Sequence, residues 1–113
     1  MRQIIVAASL LGALFWTGAA VAEDAPIQIS LKDHRFIPSE IHVISGRPTW
    51  LEITNADPTA DEFESGILAI EKIVPAGGHV RVRLRPLAPG RYAFMGEFHA
   101  DTAVGVIIAD PAP

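Results

Sequence analysis

The chain reads as an all-β sandwich of about six to eight short strands, and three observations predict it. Apolar residues recur at every second position rather than every 3.6. Clusters of Gly, Pro, Asn and Asp separate these runs at short intervals. No stretch after the first two dozen residues holds a helical period long enough for a core helix. Many short strands with regular turn signals are the pattern of a sandwich or a barrel.

The 113 residues leave room for one domain. Met1-Arg2-Gln3 supplies a positive start, Ile4 to Trp16 an apolar run and Ala20-Val21-Ala22 a small-x-small cleavage site, so residues 1–22 read as a secretory signal peptide. Ile4 to Ala22 is nearly long enough to span a bilayer, but the apolar run alone is too short and small residues follow it. The expectation is a periplasmic protein whose mature chain does not insert in the membrane, with its domain over residues 23–110 and a tail over 111–113. There is no cysteine for a disulfide, so the apolar core alone must hold a mature chain of about 91 residues. The net charge of −4 becomes one unit more negative when Arg2 leaves. That balance disfavours nucleic acid and anionic membranes as partners and suits cations.

The strands follow in order. Ile27, Ile29 and Leu31 alternate with Gln28, Ser30 and Lys32, and Ile41 and Val43 alternate with Glu40 and His42. After the Ser45-Gly46-Arg47-Pro48 turn, Leu51 and Ile53 alternate with Glu52 and Thr54. Asn55-Ala56-Asp57-Pro58 then turns the chain into a strand in which Glu62 and Glu64 flank Phe63 and so share a face. Beyond Pro75-Ala76-Gly77-Gly78, the apolar Val80, Val82 and Leu84 alternate with Arg81, Arg83 and Arg85. Pro86 to Gly90 is a further turn, and Val104 to Ala109 is apolar enough to be expected buried on both faces. Trp50 alternates with Leu51 and is expected at the surface.

Tyr92-Ala93-Phe94-Met95-Gly96-Glu97-Phe98-His99 resembles the cupredoxin metal loop, Tyr-x-Phe-x-Cys-x-x-His, with Gly96 in place of the cysteine. Asp33-His34-Arg35-Phe36-Ile37-Pro38, with Ile41-His42-Val43 and Gly46, is similar to that family's first two strands. Phe98-His99 with Ala103-Val104-Gly105-Val106 is similar to its closing loop and last strand. The resemblance covers most of Ile27 to Ala109 and implies a cupredoxin-like Greek-key β-sandwich. Within the family, Asp61-Glu62-Phe63-Glu64, Glu71-Lys72, Pro75-Ala76-Gly77 and Pro89-Gly90-Arg91-Tyr92 resemble the cupredoxin-like domain of EfeO-type proteins of periplasmic iron uptake. It implies a role in iron acquisition beside an iron permease or another periplasmic iron-uptake component.

Of the family's four copper ligands only His99 is present; Glu62 and Glu64 stand in the region of the first histidine, and Ala103 near the methionine. A blue-copper site needs two histidines and a thiolate, so electron transfer of that type is excluded. Carboxylates and imidazole suit borderline or hard divalent ions such as Fe2+, Mn2+, Cu2+ or Zn2+, with affinity alone favouring copper, and the expected cofactor is an iron or copper ion bound as Fe2+ or Cu2+. The expected metal ligands are His99 and Glu62, with Glu64, Glu97 and Asp101 completing the shell and His34 as ligand or support. Anionic ligands also stabilise Fe3+ over Fe2+, which raises ferroxidase activity as a further possibility. Each residue has an ordinary structural alternative, since loop acids and strand carboxylates are commonly solvated. The competing reading is a metal-free β-sandwich interaction module. His42 and His79 are expected in solvent, Met95 is expected to face away from the Gly96 side, and the arginine stripe is read as a solubilising face or a dock for an acidic partner.

Overall fold

The computed structural model describes residues 25–113, together with Gln3 and Gly12. The expected signal peptide otherwise lies outside the described residues. Nine strands are formed among the described residues: β1 (Ile27–Lys32), β2 (Arg35–Ile37), β3 (Glu40–Ile44), β4 (Thr49–Asn55), β5 (Asp61–Ser65), β6 (Ile70–Val74), β7 (His79–Leu84), β8 (Gly90–Gly96) and β9 (Val104–Asp110), with a 3₁₀ turn at Glu97–His99. They make a four-stranded sheet in the order β2-β1-β4-β7 and a five-stranded sheet in the order β3-β9-β8-β5-β6. Parallel pairing of β1 with β4 and of β3 with β9 closes the Greek-key sandwich. Among the described residues no helix is long and apolar enough to cross a membrane.

Period-two alternation decides the layers. Ile29, Leu31, Ile41, Val43, Leu51, Ile53, Val82 and Leu84 are all buried between the sheets, as the pattern predicts, whereas Arg81 and Arg83 stay exposed. Phe36, Phe63 and Phe94 meet at the centre with ring centroids 5.0–6.0 Å apart. Such separations are those of favourable aromatic pairs. Phe63 and Phe94 come from β5 and β8, the strands that carry the acids and lead into the 97–99 turn. The aromatic core thus fixes both.

Three expectations change. The count is nine strands rather than six to eight, because β2 has only three residues and β6 lacks alternation, with burial concentrated at Val74. Strand β9 is not buried on both faces: Ile107 and Ala109 point into the core, but Val104 is 51% exposed. No described element covers the outer face of its sheet. Trp50 is half-buried rather than at the surface, opposite Arg83 across β4 and β7. His42 is exposed as expected, with Asp110 at 2.7 Å and Glu40 at 3.3 Å. The hydrogen bond to Asp110 raises its pKa above the usual 6.5.

Val82→Asp is expected to destabilise the protein by about 3–5 kcal/mol, the cost of an unpaired buried charge. Arg83→Ser is expected to stay within about 0.5 kcal/mol of wild type, as surface substitutions do. Urea unfolding followed by circular dichroism measures both.

Candidate metal centre

One end of the sandwich collects the acids and two of the histidines. The loop from β4 to β5 is shaped by Asn55, whose side-chain amide donates to the carbonyls of Thr59 (2.9 Å) and Val74 (3.2 Å) while its Oδ1 accepts from the Asp57 N–H (2.9 Å). The loop holds the buried Asp57, and Asp61, which opens β5, is buried as well. Each reaches a different neighbouring segment.

Asp57 reaches the β1–β2 hairpin. Asp33 and His34 form its two-residue loop with φ of 52° and 57°. That conformation matches the strand twist but usually calls for Asn-Gly. The Asp57 carboxylate accepts the backbone N–H of Asp33 (2.7 Å) and of His34 (3.0 Å) and holds the loop in place. The N–H of His34 also helps to lower the Asp57 pKa below its ordinary 3.8. Held this way, the His34 ring stacks on the His99 ring, with centroids 3.6 Å apart and planes 11° from parallel.

Asp61 reaches the 97–99 turn. Its Oδ1 accepts the N–H of Glu62 (2.8 Å) and of Phe98 (3.1 Å), and its Oδ2 lies 2.8 Å from His99 Nδ1. A carboxylate oxygen accepts, so the ring carries its proton on Nδ1 and turns Nε2 away. The His99 side chain is 26% exposed and that of Asp61 only 2%.

The opposite face of β5 carries Glu62 and Glu64, as their alternation about Phe63 requires. Glu64 lies across from Glu71 on β6 and Met95 on β8. Glu97, at the start of the turn, completes a group in which one oxygen each from Glu62, Glu64 and Glu97 lies within 4.8 Å of the others. Burial and the nearness of Glu97 raise the pKa of Glu62 and of Glu64 above the ordinary 4.5, and Glu71 adds to both. Like charges directly opposed across strands are destabilising. The fold holds these three carboxylates close despite their mutual repulsion.

The residues expected as one ligand shell therefore fall into two groups on opposite sides of β5. Glu62, Glu64 and Glu97 stand together outside; His99 and His34 stand together by the core with Asp61 and Asp57. Asp101 is exposed beyond the turn, and the carboxylate group forms without it. Met95 faces outward, as expected. Sequence reasoning passed over Asp61 and Asp57. A signal was present for Asp61: period two puts it on the same inward face as Phe63, and a buried acid requires a partner.

An acid-bearing β-sandwich with a metal-loop turn at one end defines the class of the protein. A family model for the cupredoxin-like domain matches residues 4–109. The chain belongs to the cupredoxin-like domain family. The uncharacterized protein RP394 of Rickettsia prowazekii (strain Madrid E) is 44% identical over 84 residues, covering 74% of this chain and 67% of that protein. Among solved structures, the metal binding domain of the Cu(I)-exporting P-type ATPase CopA of Streptococcus pneumoniae D39, with Cu(I), superposes with a TM-score of 0.68 at 18% identity over 75% of this chain and 84% of that one. Auracyanin A, a blue copper protein of Chloroflexus aurantiacus, gives 0.65 at 14% identity over 76% and 98%. A reduced amicyanin variant gives 0.63 at 17% over 81% and 88%. These likenesses are of fold.

The blue-copper centre does not fit the residues present. Nothing supplies a thiolate, and Ala103, near the methionine position, is fully buried and lacks a donor. Nor is there space for one: a Cβ on Gly96 would stand 2.7 Å from Asp61 Oδ2 and 2.8 Å from the Ala103 Cβ. Real Cβ contacts essentially never come that close. Gly96→Cys is accordingly expected to lower the melting temperature and to bind Cu2+ without an intense blue band. Optical spectra of the copper-loaded variant check this, and a strong thiolate-to-copper band would show that the loop opens to admit a copper–thiolate centre.

Proposed function

We propose that the protein is a periplasmic metal-binding protein of iron acquisition, holding Fe2+ or Cu2+ as cargo on Glu62, Glu64 and Glu97 and working beside an iron permease or another periplasmic uptake component. The carrying observation is the approach of these three carboxylates to within 4.8 Å, with Glu71 facing Glu64. A cation placed among them removes the repulsion and offers all of them a common partner. The donors are all oxygen, which suits hard and borderline divalent ions; affinity alone favours Cu2+ over Fe2+, so iron as the cargo rests on the likeness to the EfeO-type domains. Likeness to the EfeO-type domains supports the iron role, and the copper-protein neighbours support a metal role more broadly. Oxygen donors also favour Fe3+ once iron is bound, so oxygen uptake on addition of Fe2+ separates a ferroxidase from a carrier.

The uncovered outer face of the five-stranded sheet, where Met95 and Val104 pair across β8 and β9, supports a second reading as an interaction module. Anaerobic calorimetric titration with Fe2+, with Mn2+ as a hard ion that does not oxidise, and with Cu2+ decides between the two. Failure of all three metals to bind leaves the module.

Glu62→Gln, Glu64→Gln and Glu97→Gln are each expected to weaken Fe2+ and Mn2+ binding by about tenfold or more. The metal-free variants have a second signature. A carboxyl with a raised pKa stabilises the fold below its ordinary value, and that contribution is lost as pH rises through the folded-state value. At pH 7 the wild type therefore carries the repulsion in full. Metal-free Glu62→Gln should melt above metal-free wild type at pH 7, with the gap closing toward pH 4. Differential scanning calorimetry across that range checks the sign. Metal affinity should fall as pH drops into the raised carboxylate range, because protons compete for the same oxygens.

A further inference from the structure

Asp61 stands between the two halves of the proposed site without belonging to its ligands. Its Oδ1 accepts from the N–H of Glu62, one ligand, and from the N–H of Phe98, next in sequence to Glu97, another. Its Oδ2 fills the space beside Gly96 where the family's thiolate would begin and accepts from His99 Nδ1. One buried carboxylate thus ties the start of β5 to the 97–99 turn. Gly96, just before Glu97, pairs with Phe63 of β5, and the N–H groups of Thr102 and Ala103 close the turn on the His99 carbonyl. The 3₁₀ turn has no side-chain cap of its own, and Asp61 is the side chain that ties its Phe98 and His99 to β5.

We propose that Asp61 is the positioning residue of the carboxylate site: it takes the place of the absent copper–thiolate unit and clamps the 97–99 turn so that Glu97 stays against Glu62 and Glu64. The inference rests on the metal-binding reading above. The role is geometric. Its hydrogen bonds are what matter, and its charge is not required at the cation. Asn at this position preserves all of them: its oxygen accepts from Glu62 and Phe98, and its amide donates to His99 Nδ1 once the ring proton moves to Nε2. Ala preserves none.

The test compares wild type, Asp61→Ala and Asp61→Asn by Mn2+ titration, by hydrogen exchange of the Phe98 and Glu62 amides without metal, and by ¹⁵N NMR of the His99 ring. Asp61→Ala is expected to weaken Mn2+ binding about tenfold and to speed exchange at both amides while the sheets keep their protection. Asp61→Asn is expected to bind Mn2+ within about threefold of wild type, with slow exchange at both amides and the His99 proton on Nε2. If wild type binds and Asp61→Ala binds equally well, the clamp does not set the site and the proposal is overturned. It is overturned too if folded Asp61→Asn binds as weakly as Asp61→Ala, since the charge would then be what the cation needs. That outcome decides the matter even where Asp61→Ala fails to fold. If wild type binds neither Mn2+ nor Fe2+, the metal-binding reading fails and takes this role of Asp61 with it, whereas the amide exchange still reports the clamp separately.

Discussion

The end of the molecule that carries the 97–99 turn depends on a buried carboxylate with three hydrogen-bond partners. The start of β5 and the turn that follows β8 are held together there. Here Asp61 makes the connection with two backbone N–H groups and one imidazole, all at 2.8–3.1 Å. A buried charge without such partners would be costly. With them it becomes a crosslink between β5 and the turn that follows β8. The side-chain polar atoms buried among the described residues all have partners.

Asp57 does for the β1–β2 hairpin what Asp61 does for the 97–99 turn. The loop at Asp33 and His34 has left-handed φ values without a glycine, a conformation that non-glycine residues adopt at some cost. Two N–H donations to one carboxylate offset that cost and set His34 against His99. His34 is the looser of the two rings, 42% exposed with Nδ1 3.5 Å from Asp57. Asp57 lies in the β4–β5 loop and Asp61 opens β5, so one short stretch of chain organises both turns around the histidine pair.

Charge is divided across the sandwich. The outer face of the five-stranded sheet gathers Glu62, Glu64 and Glu97, while the edge strand β7 of the other sheet carries Arg81 and Arg83. Arg81 is held by Glu52 at 2.8 Å, and Arg85 donates to the carbonyl of Leu68 at 3.0 Å. An edge strand with such residues is protected against pairing with another chain. The acids have no comparable use within the fold. Burial and the nearness of Glu97 and Glu71 raise the pKa of Glu62 and Glu64, so their charged forms are disfavoured in this arrangement.

Alternation in the sequence determined which residues of β1, β3, β4 and β7 face the core, because a period of two leaves a strand only two choices. It also placed Glu62 and Glu64 on one face, and the Gly96 position excluded a blue-copper centre. The tertiary structure alone decided that this face lies across β5 from His99, so that acids and imidazoles expected in one shell occupy two groups. Neighbours in sequence on a strand point in opposite directions, and only the pairing of β5 with β6 and β8 shows which acids meet. The partners of Asp61 were beyond the sequence for a similar reason: Phe98 and His99 lie 37 and 38 residues away, and only the packing of the two sheets brings that turn onto a carboxylate at the start of β5.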